Sequence, residues 1–103
     1  MDKCLKEIAD ILSKHRGKGN EISSGQIAKK MGIYENATHA KARSLIRKAA
    51  EKHELPLSSN KKGYFIMTSE SELNDYMDNL DSRIKGIEER KEIMRENFRK
   101  ANK

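Results

Sequence analysis

Ser24-Gly25-Gln26-Ile27-Ala28-Lys29-Lys30-Met31-Gly32-Ile33, with the run from Asn36 to Leu45 that follows it, decides how this chain folds. Ser24 has the side chain of a helix N-cap. Ile27 and Met31 lie four apart and so share one helical face. Gly32 suits the left-handed position that closes a helix, and Ile33 after it suits the apolar plug of such a turn. A further helix is predicted from about Glu35 to His53. Its apolar face is Thr38, Ala42, Leu45, Ile46 and Ala49. The stretch therefore reads as a short helix, a tight turn and a longer helix.

Upstream, Cys4, Leu5, Ile8, Ile11 and Leu12 repeat with helical spacing, predicting an amphipathic helix over residues 3–15. Arg16-Gly17-Lys18-Gly19-Asn20 ends it with two glycines. Glu21-Ile22-Ser23 is long enough for one small strand at most. Downstream, Leu55-Pro56-Leu57 breaks the helical pattern, because proline disfavours helical backbone in the residue before it. A polar turn, Ser58-Ser59-Asn60-Lys61-Lys62-Gly63, leads to the β-type run Tyr64-Phe65-Ile66-Met67. Leu55–Leu57 and Tyr64–Met67 are expected to pair as a hairpin with a basic tip, its proline tolerated on an edge strand. Thr68 or Ser69 then caps a long helix with Glu70 and Glu72 in its first turn.

The whole chain has 103 residues, which suits a single small domain with an appendage and excludes a two-domain enzyme. Leu, Ile and Phe supply 19 residues in all, with no Val. That share lies just under the roughly 20% at which a highly charged chain tends to disorder, but the apolar residues are periodic, which favours folding. The net charge of +6 is uneven. Residues 16–67 carry +7, while residues 1–15 sum to zero and residues 68–103 to −1. A basic block of this kind is an electrostatic footprint for a polyanion, or else a solvated surface that keeps the protein soluble.

The order of helix, short strand, helix, tight turn, helix and basic hairpin is that of a winged helix-turn-helix. Ser24–Ile33 with Asn36–Leu45 resembles the helix-turn-helix of many bacterial, phage and archaeal DNA-binding proteins. Ile27-Ala28 followed by Met31-Gly32-Ile33, ahead of a basic helix, is its most recognisable piece. The half from Leu55 to Met67, with Gly63-Tyr64-Phe65-Ile66, looks like the wing of small phage and mobile-element regulators. The resemblance covers residues 3–67. It implies double-stranded DNA as partner and transcriptional regulation as the role. Binding at a phage or plasmid replication origin would use the same features.

The physical chemistry of the third helix points the same way. An α-helix fits the major groove, where Arg pairs bidentately with guanine and Asn with adenine. Asn36, His39, Ala40, Arg43, Ser44 and Arg47 project away from the apolar face. Arg43 and Arg47 are one turn apart, and Ala40 and Ser44 are small enough for close approach. Asn36 serves equally well as a helix cap, and His39 as an ordinary surface residue. Lys29, Lys30, Lys48 and Lys52 flank this surface and suit phosphates. Lys61 and Lys62 at the hairpin tip suit phosphates or the minor groove.

In the tail, Leu73, Met77, Leu80, Ile84, Ile87, Lys91, Met94 and Phe98 are spaced alternately four and three apart, a heptad seam. It runs roughly 38 Å at ~1.5 Å per residue, longer than so small a domain can cover. A second copy of the chain is the simplest partner. Packing of Leu73, Tyr76, Met77 and Leu80 on the first helix is the alternative. Lys91 weakens the seam, and Gly86 on the outer face costs ~1 kcal/mol relative to Ala. Flanking charges leave orientation open: in a parallel pair Arg83 meets Glu88 but Arg90 meets Arg95. Residues 82–103 carry +4 and are a further candidate for contact with DNA.

Three other patterns are set aside. Asn36-Ala37-Thr38 matches a glycosylation sequon, but Met1-Asp2-Lys3-Cys4 leads into charged residues and not a secretory signal. His15, His39 and His53 lack ligand spacing and cysteine partners. Cys4 belongs to an apolar helical face. No nucleophile–base set, phosphate loop, cofactor motif or small-molecule pocket signature is recognisable, so an enzyme is not expected. The absence of any long apolar run argues against a membrane span, and the single cysteine against a disulfide scaffold. A cytoplasmic location follows as the expectation.

The resulting expectation is a mainly α protein with a small β-hairpin. Residues 1–67 form a winged helix-turn-helix that binds DNA, and residues 68–103 a coiled-coil helix for homodimerisation. A module that binds other proteins through the winged helix or the coiled coil is the competing class.

Overall fold

A computed structural model describes residues 2–33 and 40–102. The described elements are α1 (Asp2–Leu12), α2 (Ser24–Met31), α3 (Ala40–Lys52), β1 (Leu57–Asn60), β2 (Gly63–Ile66) and α4 (Glu70–Ala101). The chain is thus mainly helical, with a two-stranded antiparallel hairpin and a long C-terminal helix. It divides into two compact units, Met1–Glu72 and Leu73–Lys103. Among the described residues no helix is long and apolar enough to cross a membrane.

The first unit closes around a small core. Leu5, Ile8 and Leu12 of α1, Ile27 of α2, Leu45, Ile46 and Ala49 of α3, and Ile66 of β2 are all buried together with Ile22. Helical spacing puts each set on one face, so three helices and a strand each offer a stripe to a common centre. Fully burying an aliphatic side chain contributes about 1.5–3 kcal/mol. A handful of isoleucines and leucines therefore stabilises a unit of this size. Cys4 lies half-buried at the edge of this core, as its place on the apolar face of α1 implies.

α2 begins one residue earlier than its sequence suggests. Ser23, not Ser24, is the N-cap: its Oγ accepts from Gln26 N at 3.1 Å, and Gln26 Oε1 accepts from Ser23 N at 2.9 Å. The reason is the glutamine, since a reciprocal capping box needs a carboxamide or carboxylate three residues after the cap. At the other end Gly32 takes φ 68°, and Ile33 N donates to Ala28 O at 2.8 Å. This is the left-handed closure expected of Gly32, with Ile33 packed on the core.

α3 ends in the same motif without a glycine. Glu54 has φ 54°, Leu55 N donates to Ala50 O at 2.9 Å, and Leu55 packs on the core. Left-handed backbone disfavours a residue with a Cβ. Glu54→Gly is therefore expected to stabilise the protein by about 0.5–1 kcal/mol, after the extra entropy of the unfolded chain is subtracted. Thermal denaturation should show a midpoint raised by roughly 2–8 °C. An unchanged or lowered midpoint would count against the left-handed assignment.

The hairpin also differs from the sequence reading. Its first strand is Leu57–Asn60 rather than Leu55–Leu57, because Leu55 is used to plug the end of α3. The register pairs Leu57 with Ile66 and Asn60 with Gly63, leaving Lys61-Lys62 as a two-residue loop. Pro56 precedes the strand, and its carbonyl accepts from Met67 N at 2.8 Å. On the other edge of β2, Ile22 pairs with Tyr64 and Arg16 with Ile66. Glu21–Ser23 thus contributes a single bridge. The loop between α1 and α2 covers the strand edge that a bare hairpin would expose.

Ser69 precedes α4, and its Oγ accepts from Glu72 N at 3.1 Å, capping the helix. Glu72 in turn accepts from Thr68 N at 2.8 Å and Lys18 N at 2.9 Å. The amide of Lys18, then that of Thr68, holds its carboxyl below the usual range. No described residue of α4 is buried.

Candidate functional site

α3 is buried along Ala42, Leu45, Ile46, Ala49 and Ala50. The helical period of 3.6 then fixes what lies opposite. Ala40, Arg43, Ser44 and Arg47 are all exposed and form one stripe along the outer face. Lys48 and Lys52 are exposed on its flank. Arg43 and Arg47, one turn apart, have no acidic partner among the described residues. The two ion pairs described, Arg95 with Glu92 and Arg99 with Glu96, are both on α4. Asn36 and His39, the remaining candidates for base contact, lie outside the described residues, as does Thr38.

Lys29 and Lys30 occupy the exposed last turn of α2, just before the Gly32 closure. Lys61 and Lys62 are exposed at the hairpin apex. A two-residue loop leaves their backbone little freedom, and Asn60 restricts it further. Asn60 Oδ1 accepts from Lys62 N at 2.8 Å and from Gly63 N at 3.3 Å.

Asn60 and Glu21 join this surface through a contact between segments far apart in sequence. Asn60 Nδ2 donates to Glu21 Oε2 at 2.7 Å, and Gly19 N donates to the same oxygen at 3.1 Å. Asn60 first, then backbone amides at Glu21 and Gly19, lowers the Glu21 pKa to about 2, with a small contribution from the Lys62 charge. One carboxylate therefore ties the hairpin tip to the loop ahead of α2. The Asn-Lys-Lys-Gly turn hinted at the role of Asn60. Nothing local pointed to Glu21.

The sign of this linkage is set by a carboxyl depressed in the folded state. Its contribution is present above the ordinary value of 4.5 and is lost as pH falls from there through about 2. Asn60→Ala removes the largest cause. Carbon-detected NMR titration of the Glu21 carboxyl should then show its midpoint rising toward the ordinary value. A midpoint unmoved by the substitution would mean that Asn60 does not hold Glu21.

His15 Nδ1 lies 2.9 Å from Asn20 O, which accounts for this histidine as part of a turn. Among the described residues no group of His, Cys, Asp or Glu is arranged to hold a metal ion. No protein-family model, curated protein or solved structure matches the chain.

Proposed function

We propose that this chain is a winged helix-turn-helix protein that binds double-stranded DNA sequence-specifically, acts as a transcriptional regulator, and works as a homodimer. In this reading α3 lies in the major groove with its outer stripe on base edges. Arg43 and Arg47 each present a fork to guanine, while Ala40 and Ser44 permit close approach. Lys29, Lys30, Lys48 and Lys52 take backbone phosphates, and the Lys61-Lys62 wing tip takes phosphate or the minor groove. The tail seam joins two copies, and a twofold dimer suits a palindromic site.

The observation that carries the reading is the stripe itself: two arginines and two small residues on the exposed face of a helix, opposite Ala42, Leu45, Ile46 and Ala49 in the core. A merely solvated surface has no need of small residues between its arginines. The position of the block of +7 charge agrees with it.

Selection of bound duplexes from a random pool tests the reading and yields site and symmetry together. On the selected site, Arg43→Ala or Arg47→Ala should weaken binding by roughly 5- to 150-fold each, corresponding to ~1–3 kcal/mol for a bidentate base contact. The same variants should lose much less on unrelated DNA. Equal losses on both would reduce the arginines to phosphate contacts, and an unenriched pool would remove sequence specificity.

A further inference from the structure

Most seam residues of α4 are open to solvent: Leu73, Met77, Ile84, Ile87, Met94 and Phe98 are exposed, Phe98 by 69%, while Leu80 is half-buried. Such a row, on a surface otherwise largely polar apart from Ile93, calls for a cover. The charges beside it select one. Along the two middle heptads, one edge of the seam carries Asp81 and Glu88 and the other carries Arg83 and Arg90. One acidic edge and one basic edge make the face complementary to a copy of itself, but only in one direction.

We propose that α4 pairs with α4 of a second copy in parallel and in register. This rests on the reading of the tail as the dimerisation segment and adds its orientation. In a parallel pair each edge meets the opposite edge of its partner. Arg83 then faces Glu88 of the second copy, twice by symmetry. Arg90 faces Arg95 of the second copy, also twice, but Arg95 is already paired with Glu92 on its own helix. Lys91 meets its own counterpart at a seam position, from which a long side chain can carry its charge outward to water.

An antiparallel pair that uses the whole seam matches Leu73 with Phe98, Met77 with Met94, Leu80 with Lys91 and Ile84 with Ile87. Like edges then adjoin. Asp81 faces Glu88 twice and Arg83 faces Arg90 twice, with no opposite-charge contact in return. Sliding the antiparallel pair by one heptad brings Asp81 and Arg83, or Glu88 and Arg90, each against its own copy; the second slide also sets Asp81 against Arg95, but it leaves Leu73 without a counterpart on the seam. The parallel pair is the arrangement in which the segregated edges attract. Both copies of α4 then begin at the same end of the pair.

Site-directed cysteines read the orientation in the full-length chain, with Cys4→Ala as the background. In a parallel pair Lys91→Cys places two thiols across the seam, within the ~4.4–6.8 Å Cα separation of a disulfide. In the antiparallel pair the same two positions are about 11 residues out of step, roughly 16 Å apart along the axis at ~1.5 Å per residue. The expected result is a self-linked Lys91→Cys dimer in a glutathione buffer, and the same for Leu80→Cys. Thiols held in a pair react at an effective concentration of order millimolar, so at ~10 μM protein the yield should exceed that of outer-face Glu89→Cys by about 100-fold.

A mixture in which Lys91→Cys links to Leu80→Cys, while neither links to itself, would overturn the orientation and leave the dimer standing. Yields no higher than Glu89→Cys, with a monomer in sedimentation, would overturn the dimer as well. Neither outcome bears on DNA binding by the first unit, which the random-pool selection reads separately.

Discussion

Affinity for duplex DNA is expected to fall by about 10³–10⁵-fold between 50 and 200 mM salt, if six to ten phosphates are neutralised. Six exposed lysines set this figure. Lys29, Lys30, Lys48, Lys52, Lys61 and Lys62 are exposed on the first unit, outside the stripe assigned to bases. Each cation that neutralises a phosphate releases condensed counterions, so log affinity declines with log salt at about −0.9 per contact. Six contacts give a slope of roughly −5, which over a fourfold change in salt is about a thousandfold. A dimer in which each copy engages about five phosphates reaches the upper figure.

Fluorescence anisotropy on a selected duplex across a salt series checks this directly. Lys61→Gln with Lys62→Gln should lower the slope by about two per copy, at ~1 for each phosphate contact removed. Arg43→Ala should change affinity for the selected site more than it changes the slope. A slope near zero would sink the proposal of a DNA-binding protein. A steep slope that the wing lysines leave unaltered would place the phosphate contacts on α2 and α3 alone.

What the sequence made legible, and what it did not, divides by range. The apolar faces of α1 and α3 and the Gly32 closure were all readable, because helical periodicity and a glycine after the last apolar residue are local signals. The outer stripe of α3 followed from the same periodicity, which places Arg43 and Arg47 opposite Leu45 and Ala49. Sequence and structure differ where neighbouring residues compete for one role. Ser23 and Ser24 are both good caps, and only Gln26 decides between them. Leu55 and Leu57 are both good strand residues, and the left-handed turn at Glu54 takes Leu55 for the end of α3. The Asn60–Glu21 link, 39 residues apart, had no local signal at all. It depends on β2 first pairing with Ile22, which is a property of the assembled fold. The positioning of the hairpin lysines was therefore hidden, although the lysines themselves were evident.

Gly63→Ala is expected to cost about 3 kcal/mol or more, a large part of the ~5–15 kcal/mol that stabilises a small protein. Two effects combine. The backbone at Gly63 has φ 139°, where a side chain is strained by roughly 1–3 kcal/mol. An added Cβ would also meet Ser23 N at 2.8 Å and the Ile22 carbonyl more closely still. These are backbone atoms, and they are not free to yield. Ile22 N donates to Tyr64 O at 2.9 Å, and Tyr64 N donates to Ile22 O at 2.8 Å. The Ile22 side chain is buried, and Ser23 is engaged in the cap of α2. Forcing a methyl group into such a site costs ~1–3 kcal/mol on its own.

Gly19→Ala separates the two effects. Gly19 has φ 105°, but nothing lies within 4 Å of an added Cβ. It should show backbone strain without collision. At ~4–8 °C per kcal/mol for a domain of this size, Gly63→Ala should lower the melting midpoint by at least about 12 °C, and Gly19→Ala by roughly half of that or less. Equal shifts would mean that the hairpin does not approach Ile22 as described. The consequence for function is specific. The Ile22–Tyr64 bridge and the Asn60–Glu21 hydrogen bond both hold the hairpin to the segment leading into α2, so a hairpin displaced at Gly63 carries Lys61 and Lys62 with it. Gly63→Ala protein that remains folded at low temperature should therefore bind DNA with a reduced salt slope, like the double lysine variant, while its Arg43 and Arg47 still discriminate the selected site.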